Sequence, residues 1–142
     1  MPTASPGRDP TFADSFLFIA LLNPSDAHHA AATAAIEALA SSLLTTHWVL
    51  VEVADALSAP SYRIEVARFL RELAADAGVE VVPPDPSWYE RGLDLYARRP
   101  DKGWSLTDCI SFAVMADRGV VAALTADRHF EQAGFRALLR PM

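Results

Sequence analysis

The 142-residue chain is poor in the residues that carry several common chemistries. It holds one cysteine, Cys109, so no internal disulfide can form, and the composition suits a reducing cytoplasm. Six glycines are present, and none forms a phosphate-cradling loop or a G-x-G-x-x-G after the first strand. There is no G-x-S-x-G nucleophile elbow. Phe16 stands where an aspartyl-phosphate enzyme usually needs its second acid, two residues after Asp14. No cysteine–histidine pairing has zinc spacing. No apolar run approaches the roughly 18 residues needed to cross a bilayer, so no membrane association is expected. The opening segment, residues 1–10, lacks the apolar core of a signal peptide. Lys102 is the only lysine, and the net charge is −6. That balance argues against broad non-specific DNA binding, which relies on neutralising phosphates.

What is present is a globular composition, 51% apolar and 21% charged, in a length that fits one domain. Residues 1–10 are expected to form a flexible arm, and residues 11–142 the domain. Thr11-Phe-Ala13 predicts a short strand, and the apolar run from Ser15 to Leu22 a buried helix of about two turns. Asn23-Pro-Ser-Asp26 reads as a helix start, with Asn23 as cap and Pro24 in the first turn, leading into an Ala-rich helix to Ala40. Leu43–Thr46 is extended. Val49, Glu52, Val53, Ala56 and Leu57 repeat at helical spacing despite their β-branched neighbours. Tyr62–Ala77 is an amphipathic helix ended by Gly78, and Val79–Val82 a strand. Trp88–Arg98 is a helix stopped by Pro100. A further helix enters at Ser105 and closes at Gly119. Val120–Leu124 is a strand buried on both faces, Asp127–Gln132 a short helix, and Phe135–Leu139 a last strand. Short strands alternating with helices define an α/β fold with a parallel sheet, whose ligands gather beyond the carboxyl ends of the strands.

Four acids stand out against apolar surroundings: Asp14, Glu52, Asp108 and Asp127. Three have plain structural roles available. Asp14 and Asp127 can cap the helices that follow them. Ser105-Leu-Thr-Asp108 has the form of a capping box. Glu52 is harder to explain, because no basic residue lies three or four positions away and an ionised carboxylate among apolar groups costs several kcal/mol unpaired. Together the four suggest hard oxygen ligands for Mg²⁺ or Mn²⁺, with Ser15, Thr107 or Thr125 orienting a water or a phosphate oxygen. Such a centre can hydrolyse a phosphodiester. Arg98, Arg99 and Lys102 crowd together just before this region. They are either a solvated helix end favoured by the helix dipole or contacts for substrate phosphates.

These residues carry a family resemblance. Asp14-Ser15 after a short strand, Ala20-Leu-Leu-Asn-Pro-Ser-Asp-Ala-His28, and Glu52 within Thr46-His-Trp-Val-Leu-Val-Glu-Val53 form its first part. Lys102-Gly-Trp-Ser-Leu-Thr-Asp-Cys-Ile-Ser111 and Ala123-Leu-Thr-Ala-Asp-Arg-His-Phe130 complete it. The chain resembles the PIN-domain nucleases, in particular the VapC-type toxin ribonucleases of toxin–antitoxin pairs. The resemblance implies a three-layer α/β/α sandwich around a mostly parallel sheet and a Mg²⁺- or Mn²⁺-dependent endoribonuclease. Its acids would be Asp14, Glu52, Asp108 and Asp127, assisted by Thr125 or Ser15. It further implies a homodimer and a small antitoxin whose tail enters the acidic groove. An RNA-processing nuclease without an antitoxin, and a PIN-like module that binds RNA or protein without cutting, share the same outline.

Overall fold

The computed structural model describes residues 9–141; the arm expected over residues 1–10 lies, as far as residue 8, outside them. Five parallel strands form one sheet in the order β3-β2-β1-β4-β5. They are β1 (Thr11–Ala13), β2 (Leu43–Thr46), β3 (Val79–Val82), β4 (Ala122–Leu124) and β5 (Arg136–Ala137). The helices between them are α1 (Ser15–Leu22), α2 (His29–Ala38), α3 (His47–Ala56), α4 (Arg63–Ala75), α5 (Pro86–Arg98), α6 (Leu106–Arg118) and α7 (Arg128–Gln132). The chain steps from β1 to β2 to β3 in one direction, then returns across the sheet to β4 and β5. Right-handed crossovers therefore put α1–α4 on one face and α5–α7 on the other. This is the three-layer α/β/α architecture that the resemblance implies, around the parallel sheet that the alternating pattern predicts.

The central strands are apolar because both faces are covered. Phe12 stands opposite Leu44 on one side and Ala123 on the other, and Ala13 opposite Leu124; all five are essentially buried. An aromatic chain then ties the second helical layer to the sheet. Trp104 meets Phe112 at 5.1 Å, Phe112 meets Phe130 at 5.0 Å, and Phe130 meets Phe12 at 6.2 Å between ring centroids. Such pairs contribute about 0.5–1.5 kcal/mol each beyond their area. They fix the helix carrying Asp108 relative to the one that follows Asp127.

The helix expected to start at Pro24 does not. Asn23 Oδ1 accepts the Ser25 N–H at 3.1 Å, and Asp26 Oδ1 accepts the His28 N–H at 2.8 Å. Two successive side-chain turns thus take donors that a helix would align, and α2 begins only at His29. At the other end it stops at Ala38, where Leu39 becomes extended. Helix α5 starts earlier than Trp88, because Asp85 caps it and Pro86 suits its first turn. Strands β4 and β5 are shorter than their apolar runs. Gly119 closes α6 in the left-handed conformation, with φ of 65°.

Helices α5 and α6 approach closely at Gly92. A Cβ there would collide with the Ile110 side chain and lie 3.1 Å from the Ile110 Cα and N. The backbone atoms cannot move aside without moving α6. Gly92→Ala gains about 1 kcal/mol of helix propensity but incurs about 1–3 kcal/mol of overpacking. The expected net result is a lower urea midpoint for Gly92→Ala; a higher one would contradict this packing.

Candidate active site

The site forms where the sheet changes direction. From β1 the chain moves to β2 on one side, while β4 lies on the other, and the carboxyl ends of β1 and β4 open into a shared crevice. Asp14 follows β1 directly, and Thr125 follows β4 directly. The Thr125 hydroxyl donates to Asp14 Oδ2 at 2.8 Å and accepts the Asp127 N–H at 3.0 Å. Both are buried, with Thr125 at 0% and Asp14 at 4% exposure. Asp14 occupies the N-cap position of α1, yet makes no side-chain cap hydrogen bond. Its carboxylate turns to Thr125 instead, so capping does not account for it.

The other acids come from neighbouring elements. Glu52 projects from α3 and accepts a short hydrogen bond from the Ser15 hydroxyl on Oε1. Asp108, at 7% exposure, stands in the first turn of α6. It closes the capping box, Ser105 Oγ accepting the Asp108 N–H at 3.0 Å and Asp108 Oδ2 accepting the Ser105 N–H at 3.1 Å. Asp127 caps α7, accepting the His129 N–H at 2.9 Å on Oδ1. Asp108 and Asp127 therefore do serve the capping roles available to them. One oxygen on each of three acids, Glu52 Oε2, Asp108 Oδ1 and Asp127 Oδ2, has no hydrogen-bond partner among the described residues.

The charges of these acids act on one another. Burial pushes Asp14 up to about 7; the Thr125 hydrogen bond works against this, and the charges of Asp108 and Glu52 add to it. Burial also raises Glu52, opposed by Ser15 and reinforced by Asp108 and Asp127. Asp108 is raised by burial against its bond from Ser105, and the Asp127 charge adds to the rise. Among the described residues no arginine or lysine pairs with any of the four. Among the described residues the one basic side chain in contact with them is His129, whose Nδ1 lies 3.1 Å from Asp108 Oδ2 and 3.4 Å from Asp127 Oδ1.

His129 escaped the sequence reading, although it stands two residues after Asp127 in a segment that carried the resemblance. Its signal was local: a side chain two positions beyond an N-cap aspartate turns back toward that cap. Asp108, Asp127 and His129 each offer a donor atom within 4.8 Å of the others. Ser111, one helical turn beyond Asp108, holds the only buried side-chain oxygen without a partner among the described residues. Oxygen-rich donors, an orphaned hydroxyl on the same stripe of α6 and uncompensated negative charge all fit a divalent cation.

Thr107 makes none of these contacts. Arg98, Arg99 and Lys102 form no ion pair with the four acids and lie from the end of α5 into its connection with α6. Arg99 forms two 3.0 Å hydrogen bonds with Asp101 and lies over the Trp104 ring. Arg98 is exposed on the last turn of α5. Arg99 and Lys102 line a cavity of about 440 Å³ with Tyr96, Gly103 and Trp104.

The chain belongs to the PIN domain family, whose model matches residues 11–136. It is similar to the 23S rRNA-specific endonuclease VapC20 of Mycobacterium tuberculosis, at 30% identity over 125 residues, covering 87% of this chain and 94% of that protein. The crystal structure of the same M. tuberculosis protein, described as a sarcin–ricin loop cleaving toxin, superposes with a TM-score of 0.81. That match has 26% identity and covers 88% of this chain and 95% of the other. FitAcB from Neisseria gonorrhoeae shares the fold, with a TM-score of 0.62 at 17% identity over 89% of this chain and 94% of its own.

The raised acids set a pH dependence in metal-free protein. Asp14 titrates near 7 when folded and near its ordinary 3.8 when unfolded. Between those values the folded state holds more protons, so the stabilising contribution is complete below the lower value and lost as pH rises through the upper one. Glu52 and Asp108 act in the same sense. With chelator present, the urea midpoint should fall from about pH 5 to about pH 8, less steeply in Asp14→Asn. Parallel slopes in the two proteins would remove Asp14 as the cause.

Proposed function

We propose that this protein is a divalent-metal-dependent endoribonuclease acting as the toxin of a toxin–antitoxin pair. The observation that carries this reading is the buried Asp14, withheld from its helix cap and bonded to Thr125 among three further acids that no lysine or arginine among the described residues balances. Family membership supports nuclease chemistry, and the likeness to an RNA-cleaving toxin supports RNA as the substrate.

In this reading Asp14, Glu52, Asp108 and Asp127 hold Mg²⁺ or Mn²⁺. The bound ion supplies an activated water and stabilises the leaving oxygen of the scissile phosphodiester. The protein's part is orientation. Thr125 fixes the Asp14 carboxylate and Ser15 fixes Glu52, so their remaining oxygens are aimed before the cation arrives. Asp14, pushed up to about 7, would be partly protonated near neutral pH without a cation, and a cation held there would favour its ionised form. Four carboxylates repel an RNA phosphate until that charge is neutralised, which makes cation and substrate binding interdependent. Arg98, Arg99 and Lys102 contact flanking phosphates in the same reading. A homodimer, a cytoplasmic setting and a small antitoxin covering the acidic crevice belong to the proposal as well.

The test is cleavage of a mixed RNA substrate that includes ribosomal RNA, with Mg²⁺ or Mn²⁺ and with chelator. Asp108→Asn should cut at least about 100-fold more slowly, beyond the 10–100-fold that losing even an outer metal partner causes. Cleavage that survives chelation, or that Asp108→Asn retains, would defeat the proposal.

A further inference from the structure

We infer that His129 Nδ1 is itself a metal ligand, forming with Asp108 and Asp127 a mixed imidazole–carboxylate centre that takes Mn²⁺ in preference to Mg²⁺. The inference rests on the divalent-cation reading above and adds a ligand and a metal preference to it.

The argument is geometric first. Donors bound side by side on an octahedral ion, with bonds of about 2.1 Å, sit about 3 Å apart. Nδ1 lies 3.1 Å from Asp108 Oδ2 and 3.4 Å from Asp127 Oδ1, the spacing of two edges of one coordination shell. The ring is held there from its own backbone, since the His129 N–H donates to Asp127 Oδ1 at 2.9 Å. Its side chain is 24% exposed. The burial of Phe130 at 0% fixes the turn of α7 from which the ring projects. With the ring proton on Nδ1 this contact is a hydrogen bond to Asp108 Oδ2; with the proton on Nε2 instead, the Nδ1 lone pair faces the two carboxylates and is free to take a cation shared with them.

The chemistry then selects the ion. Mg²⁺ is hard, prefers oxygen and keeps its waters, so a nitrogen donor gains it little. Mn²⁺ accepts the same carboxylates as Mg²⁺ and, although it is the weakest binder of the divalent transition-metal series, is less hard than Mg²⁺ and so gains more from one nitrogen donor. A purely carboxylate site would lack this discrimination. The competing role for His129 is that of a counter-cation, an imidazolium that balances Asp108 and Asp127 and leaves when metal enters.

The two roles separate by spectroscopy on the whole chain loaded with Mn²⁺. Electron spin-echo modulation of the bound ion should show hyperfine coupling to a directly attached nitrogen, and His129→Gln should lose it. In calorimetry, His129→Gln should bind Mn²⁺ about 10–100-fold more weakly, while its Mg²⁺ affinity changes less than about threefold. Circular dichroism checks that the variant folds, and the wild-type spectrum needs no variant at all. Bound Mn²⁺ that Asp108→Asn displaces but that shows no nitrogen coupling would overturn the inference and leave the cation reading intact. An equal loss of Mn²⁺ and Mg²⁺ affinity would also overturn it, assigning His129 to positioning Asp108. A wild type that binds Mg²⁺ but not Mn²⁺ would overturn this inference alone, and one that binds neither ion would reject both readings together.

Discussion

Mutual repulsion among Asp14, Glu52, Asp108 and Asp127 is the constraint around which the rest of this structure is arranged. Each acid is partly or wholly removed from water, and the charges of the others push three of them upward. A fold tolerates this only if each carboxylate is individually secured. Thr125, Ser15 and the backbone N–H groups of Ser105 and His129 each secure one. Neutral hydroxyls and amides fix direction without cancelling charge. An arginine in their place would have stabilised the empty site and closed it to a cation.

The sheet makes this arrangement possible by bringing distant parts of the chain to one rim. The change of direction between β1 and β4 puts Asp14 beside Thr125. The N-terminus of α6 delivers Asp108 with two bonds of its capping box intact. Behind them, the aromatic series from Trp104 to Phe12 transmits the position of the sheet to α6 and α7. Trp104 also donates to Gln132 Oε1 at 3.0 Å, tying the entry of α6 to the end of α7. Packing and site geometry are therefore one problem: a shift of α6 against the sheet would alter the distance between Asp108 and Asp127.

Much of this was legible in the residues. The strand runs Leu43–Thr46 and Val79–Val82 and the helical spacing of Val49, Glu52 and Val53 correspond to β2, β3 and α3, because burial on both faces or along one stripe leaves a strong pattern. The four acids were visible because each interrupts an apolar stretch, and the structure gathers them. What local pattern could not show was competition between two local structures. Asn23 and Asp26 have the composition of a helix start, and only the chain's direction there makes them turns. His129 was hidden for a different reason. A histidine near a helix start is ordinary, and its value depends on Asp108, 21 residues earlier. The tight passage of Gly92 past Ile110 is likewise invisible until two helices are docked.

The bond between Thr125 and Asp14 spans 111 residues of chain, and this has a consequence for synthesis. Asp14 and Glu52 leave the ribosome early, with three of the five strands complete by Val82. Asp108 and Asp127 follow much later, and no partial chain ending before residue 127 contains all four acids. A growing polypeptide therefore cannot assemble the four-acid cluster, or close the Thr125–Asp14 bond that braces it, until nearly the whole domain has been made.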